Sequence, residues 1–335
     1  MFQSWHSNSH TTVTSVDAHG GKIDICFECL ASFLNESTSQ LSHSERFELL
    51  NCLLRLSVNK SFPLALPGTP QSLLVKPLLL LILGCQRGMR ERAVAEVASN
   101  CLTLLTKNCM TAPLFENYIH AVTVKTYDYL LWHSVDSILE NNRSLIQAFA
   151  EQDTLSKHTF GLLMSNVDFT KVPKNSSSLT NSQSTRGVST NTDVDWRCPF
   201  FSILIKLANG TSKIIQDMVI PTSNCRQTLQ FLQDFFITHF DQLLFILKSD
   251  QNQYMNCIIL CIQFIRSSAF AIQFKNVDEH RLRELTMTIL GVFSEVEVKE
   301  EALALLLCLL KKNASLSSMN VEIGVPRLLC SRLHP

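Results

Sequence analysis

The chain has 335 residues, of which 46% are hydrophobic and 17% charged, with 29 Lys+Arg balanced by 29 Asp+Glu. That is too apolar and too weakly charged for a chain disordered as a whole, and a formal net charge of zero argues against wholesale phosphate binding. Only 10 Gly and 10 Pro occur, which argues against a turn-rich all-β fold.

The opening residues, MFQSWHSNSH, carry neither the basic region nor the apolar stretch of a secretory signal. Residues 1–20 read as a flexible N-terminal tail. From Lys22 onward, Ile25, Cys26, Cys29, Leu30, Phe33 and Leu34 fall on one helix face. Ser42 and Glu45 fit a capping box ahead of Phe47, Leu50, Leu53, Leu54 and Leu56. Three prolines between Phe62 and Pro70 make a connection. The next helix spans Ser72–Leu83, where Pro77 marks either a kink or the true first turn. The apolar run Leu73–Cys85 falls short of the about 20 residues that cross a bilayer, so the chain is expected to stay in the cytosol or nucleus.

Met89–Lys107 sets Val94, Val97, Ala98, Cys101, Leu102, Leu104 and Leu105 against Arg90, Glu91, Arg92 and Glu96. Tyr118 to Gln152 is helical, with Asn141-Asn142 as a dividing point. Residues 170–195 are mostly Ser, Thr, Asn and Gln, cannot bury enough apolar surface to offset ordering, and read as a disordered linker. Beyond it come Pro199–Ala208 and Ile214–Ile220, separated by Asn209-Gly210. Helices then span Cys225–Lys248, Tyr254–Phe274, Asp278–Phe293 and Glu295–Lys311.

The fold class is therefore all-α, with no convincing strand and with helix pairs recurring roughly every 40 residues. The domain reading is a helical array at 21–169, the linker at 170–195, a second array at 196–313, and an irregular basic tail at 314–335. Each pair has an apolar face that only a stacked neighbour can bury.

No G-x-S-x-G, P-loop, H-E-x-x-H or G-x-G-x-x-G pattern occurs. Hence no catalytic residue, cofactor or small-molecule substrate is expected, and no metal is assigned. Cys26-x-x-Cys29 is the close thiol pair of that spacing, and a zinc site could draw on His19, Cys26, Cys29 and Cys52 or His43. The competing reading seats both thiols on the buried stripe of an amphipathic helix with Leu30 and Phe33; a redox Cys-x-x-Cys would need a strand-to-helix setting, and the sequence shows none. Cys257 and Cys261 sit four apart among Ile258, Ile259, Leu260 and Ile262, as dry core. Glu295, Glu297, Glu300 and Glu301 read as the acidic start of a helix. His280-Arg281-Leu282-Arg283 is basic but bracketed by acids at neutralising spacing. Arg87, Arg90 and Arg92 are better placed for phosphate contacts. Ser39-Gln40 and Ser182-Gln183 match a minimal kinase pattern at a frequency near chance in a Ser-rich chain.

In Cys225–Lys248, one stripe absorbs Leu229, Leu232, Phe236, Phe240, Leu243 and Leu247. Phe231, Phe235, Phe245 and Ile246 lie off that stripe, and another helix of this chain, a missing continuation of the array or a partner protein must cover them.

The helical rhythm over roughly residues 22–312 resembles the armadillo/HEAT superfamily, a class of scaffolds that bind proteins along a concave face. The stretch FLQDFFITHFDQLLFILKSDQNQYMNCIILCIQF is similar in character to large vertebrate meiotic scaffolds of the armadillo-like kind. That likeness implies a role in forming meiotic DNA breaks, and a fragment or isoform of a longer array ending in the divergent GVPRLLCSRLHP. It carries over no functional residue. The expectation is thus a non-enzymatic scaffold whose partners are other proteins. Nucleic-acid binding through the arginines is the second reading, and a Cys-based zinc protein the third. A non-specific protease should cut first within residues 170–195; initial cleavage inside Cys225–Lys248 would contradict this reading.

Overall fold

The computed structural model describes residues 12–16, 22–35, 41–58, 69–84, 89–107, 115, 119, 129–142, 144–146, 161, 167–171, 195–217, 223–249, 251–292 and 296–312. Its contacts divide the chain into two units, residues 1–125 with 130–145, and residues 126–129 with 146–335.

The first unit opens with a hairpin. Strands β1 (Thr12–Val16) and β2 (Lys22–Cys26) pair antiparallel, with Thr12 opposite Cys26 and Val16 opposite Lys22. This corrects both the flexible-tail and the helical reading of these residues. TVTSV is rich in β-branched residues, and in KIDIC the isoleucines alternate with polar residues, which is strand period. Ile25, Cys26 and Cys29 also fit helical spacing, and that coincidence hid the strand.

Helix α1 (Phe27–Leu34) follows β2 without a loop and buries Phe27 and Leu34. It packs on a 3-10 turn (Pro70–Leu74) and on α3 (Val75–Gly84). Pro77 falls in the first turn of α3, where its missing N–H removes no helical bond. Helix α2 (His43–Val58) begins at the expected capping box. The Ser42 N–H and hydroxyl donate to Glu45 Oε2 at 2.8 and 2.7 Å, and Glu45 N–H donates to Ser42 Oγ at 3.4 Å. Both α2 and α3 pack against α4 (Met89–Leu105), which buries Val94, Ala98, Cys101, Leu102 and Leu105. Cys101 Sγ donates to the Leu50 carbonyl of α2 at 3.5 Å, and burial pushes this thiol up to about 12. Helix α5 (Tyr129–Asn141) ends where the sequence reading divides it. There the Asn141 and Asn142 amides donate back to the Ser137 and Ile138 carbonyls, each at 2.9 Å.

The second unit contains α6 (Arg197–Asp217), α7 (Ser223–Thr238), α8 (Phe240–Leu247), α9 (Gln251–Ser267), α10 (Glu279–Val292) and α11 (Val296–Lys312). Helix α9 packs against both α6 and α11, while α10 packs against α8 and α11. The helices thus stack in two rows, α6–α9–α11 and α8–α10, with α7 against α6 and α8 against α9, a packing compatible with a helical repeat. Across the first row, Glu301 of α11 accepts from Gln263 at 2.9 Å and pairs with Arg266 at 2.7 Å on α9. One member of the acidic cluster at the start of α11 therefore ties two helices together. Similarly, Arg281 and Glu284 of α10 meet Asp241 of α8 and Lys248 just past its end at 3.6 and 2.6 Å, so these charges are neutralised across helices.

Two boundaries differ from the sequence reading. Asn209-Gly210 does not separate two helices but lies inside α6. A Cβ at position 210 would overlap the Ile146 side chain, so glycine is needed there for close approach. Conversely, Cys225–Lys248 is two helices that meet at buried His239 (φ −102, ψ 14). Nor does the division between units coincide with the proposed linker: Lys171 and Trp196 both lie in the second unit, and Trp196 Nε1 donates to the Lys171 carbonyl at 3.1 Å. Residues 172–194 and the tail from 313 onward lie outside the described residues, as do residues 1–11. Among the described residues, no helix is long and apolar enough to cross a membrane.

Gly210→Ala should lower stability by about 1–3 kcal/mol in denaturant unfolding, the usual cost of overpacking, although alanine is the better helix former. Ser42→Ala should cost about 1 kcal/mol as a lost N-cap. The Ser42 hydroxyl and then its N–H hold the Glu45 carboxyl below the usual range. Its contribution is therefore complete above the ordinary glutamate pKa and is lost as pH falls through the lower folded-state value. Unfolding of wild type and Ser42→Ala at neutral and acid pH should show the gap narrowing on acidification.

Candidate functional site

An ion pair, aromatic rings and two thiols meet where α6 begins. Asp195 caps that helix: its Oδ1 accepts the Arg197 N–H at 3.0 Å, and its carbonyl accepts the Cys198 N–H at 3.1 Å. The Arg197 side chain is 0% exposed. Its Nε donates to both carboxylate oxygens of Asp195, at 2.9 and 2.8 Å, and Nη2 lies 2.6 Å from Oδ2. Nη1 donates to the Phe169 carbonyl at 3.3 Å, and the guanidinium sits 4.9 Å from the centre of the Tyr254 ring. Burial works against the Arg197 charge. The hydrogen bond to Asp195, with Cys257 and Tyr254 nearby, outweighs it and holds the guanidinium pKa above its ordinary value.

Aromatic rings enclose the pair. Phe169 stacks on Trp196 at 5.8 Å and on Phe201 at 5.2 Å, and meets Phe235 and His239 edge-on. The Phe169 N–H donates to Gln242 Oε1 of α8 at 3.0 Å. Residues on both sides of 172–194 are thus pinned in one cluster.

Cys198 and Cys257 complete the site, with ligand atoms within 4.8 Å of each other and of the Asp195 carboxylate. Three such donors invite a metal reading. However, both Asp195 oxygens are committed to Arg197. The Cys257 thiol is pushed well above its ordinary value, first by its hydrogen bond with Cys198 and then by burial. The residues present fit a structural clasp, not a metal centre.

The residues singled out in the sequence are distributed as follows. Phe231, Phe235 and Ile246 are buried at 6, 0 and 0% exposure, covered by neighbouring helices of the second unit; Phe245 stays 46% exposed. Arg92 is exposed and pairs with Glu96 at 3.5 Å, while Arg87 and the Arg90 side chain lie outside the described residues. Cys257 and Cys261 are buried core as expected. Cys26 and Cys29 are half-buried at the β2–α1 corner. Among the described residues no third ligand joins them: His43 and Cys52 lie exposed on α2, and His19 is outside those residues. A cleft of about 330 Å³ runs past His43, Ser44, Phe47, Ala93 and Val94.

The ion pair escaped the sequence reading. Its signal was an Asp-x-Arg at a helix start, and nothing in that pattern tells a buried arginine from a solvated one. Asp195→Asn keeps a capping oxygen but leaves the guanidinium unpaired, and should cost about 3–5 kcal/mol in denaturant unfolding. Adding Arg197→Met should recover most of that loss. A chain cut within 172–194 should stay associated in native buffer and separate more readily in the Asp195→Asn variant.

Comparison with protein-family models, curated proteins and solved structures finds no match for this chain.

Proposed function

We propose that this chain is a non-enzymatic helical scaffold that binds another protein through the outer face of α8 and α10. The observation that carries this reading is a pair of large apolar side chains exposed on adjacent helices, Phe245 at 46% and Met287 at 47%. Asp241 and Lys248 lie one turn either side of Phe245, and their ion pairs to Arg281 and Glu284 fix α8 against α10. Met287 follows Glu284 by one turn, so the apolar groups and the charges share a flank. An apolar centre rimmed by charge is the usual composition of a protein-binding patch. The two-row packing supports the narrower reading as an armadillo- or HEAT-like array. The likeness of residues 231–264 to meiotic scaffolds directs the partner search to proteins that act in meiotic DNA break formation.

Phe245→Asp with Met287→Asp should abolish capture of the partner while leaving the melting temperature unchanged. Phe231→Ser with Phe235→Ser should instead lower the melting temperature sharply, because those rings are core. Retained binding by the first variant would refute the proposed face. Salt-dependent DNA binding weakened by Arg92→Ala would favour the nucleic-acid reading.

A further inference from the structure

The geometry points to a reversible thiol–disulfide site formed by Cys26 and Cys29 at the β2–α1 corner, one that exchanges with low-molecular-weight disulfides. Cys26 is at once the last residue of β2 and the N-cap of α1, with extended backbone (φ −89, ψ 102). The strand therefore runs straight into the helix, the setting that reactive Cys-x-x-Cys pairs use. The Cys26 and Cys29 sulfurs lie 3.0 Å apart in a thiol–thiol hydrogen bond. The Cys29 N–H donates to Cys26 Sγ at 3.4 Å, which seats the Cys26 sulfur over the helix N-terminus. Both thiols are half-buried and reachable, whereas Cys101, Cys257 and Cys261 are sealed in the cores. No third ligand among the described residues turns the pair toward a metal.

The two sulfurs have distinct surroundings. The Cys29 pKa is raised, first by its hydrogen bond with Cys26, then by burial and by the nearby Cys26 and Glu28. Cys26, whose sulfur accepts the Cys29 N–H at the start of α1, is the attacking thiol, and Cys29 is the resolving one. In the first step Cys26 gives its proton to solvent and its sulfur bonds to one sulfur of a disulfide RS–SR; that S–S bond breaks and RS⁻ leaves. Cys29 then loses its proton and attacks the Cys26 sulfur, expelling the second RS⁻. Two electrons pass from the protein to RS–SR, giving a Cys26–Cys29 disulfide and, after protonation, two RSH. The bond closes the strand–helix corner from which α1 reaches the 3-10 turn and α3.

The test incubates the full chain in glutathione buffers of graded oxidised-to-reduced ratio, blocks free thiols by alkylation and maps them by peptide mass spectrometry. The Cys26–Cys29 disulfide should rise from absent to dominant across the series. Cys29→Ser should trap glutathione on Cys26 several-fold faster than on exposed Cys52, which serves as the reference thiol in the same chain. Cys26→Ser keeps an N-cap side chain, so it should fold, and it should trap little glutathione on Cys29. A pair that stays reduced in fully oxidised glutathione overturns the inference. Trapping on Cys52 that matches or outruns Cys26, or trapping on Cys29 instead of Cys26, overturns it as well.

Discussion

Arg197 carries a charge that an apolar interior would normally exclude, and Asp195 is the reason it stays. An unpaired buried guanidinium would be costly, so the carboxylate must lie within bonding distance of both Nε and Nη2. That demand fixes the start of α6, since the same carboxylate caps the helix. It also fixes Phe169, whose carbonyl takes the remaining guanidinium contact and whose ring stacks on Trp196 and Phe201. Through Phe235 and Gln242 the cluster reaches α7 and α8. One ion pair thereby holds together segments that are far apart in sequence.

The aromatic excess of the second unit follows from this arrangement. A helix buried on one side needs one apolar stripe, but α7 and α8 carry apolar residues around most of their circumference. Phe231 and Phe235 face the cluster side, and Phe236 and Phe240 form a second contact that runs on to Phe274. Each such ring contributes roughly 1.5–3 kcal/mol on burial, so the rings that find a neighbour are spent on the fold. Phe245 is left over at the surface, and with Met287 it forms the face proposed for binding.

Thiol chemistry divides along the same line between covered and accessible groups. Cys101, Cys257 and Cys261 behave as small hydrophobes, with pKa values raised by burial or by a neighbouring thiol. Cys26 and Cys29 differ only in where the chain places them: at a corner between strand and helix, within contact of each other and of solvent.

Local pattern determined much of this protein by itself. The Ser42–Glu45 box, the stripe of α4 and the stop at Asn141-Asn142 depend on residues within a few positions of each other, and the structure contains them as read. Elsewhere the deciding partner was remote. Gly210 looked like a break, yet it is a point of close approach to Ile146 inside a continuous helix. Lys22–Cys26 fitted helical spacing, and pairing with Thr12–Val16 made it a strand. Off-stripe phenylalanines could not be sorted into core and surface until the helices around them had positions. The Arg197–Asp195 pair was invisible for the same reason: burial is a property of what surrounds a side chain, and sequence period records only the side of its own element on which it lies.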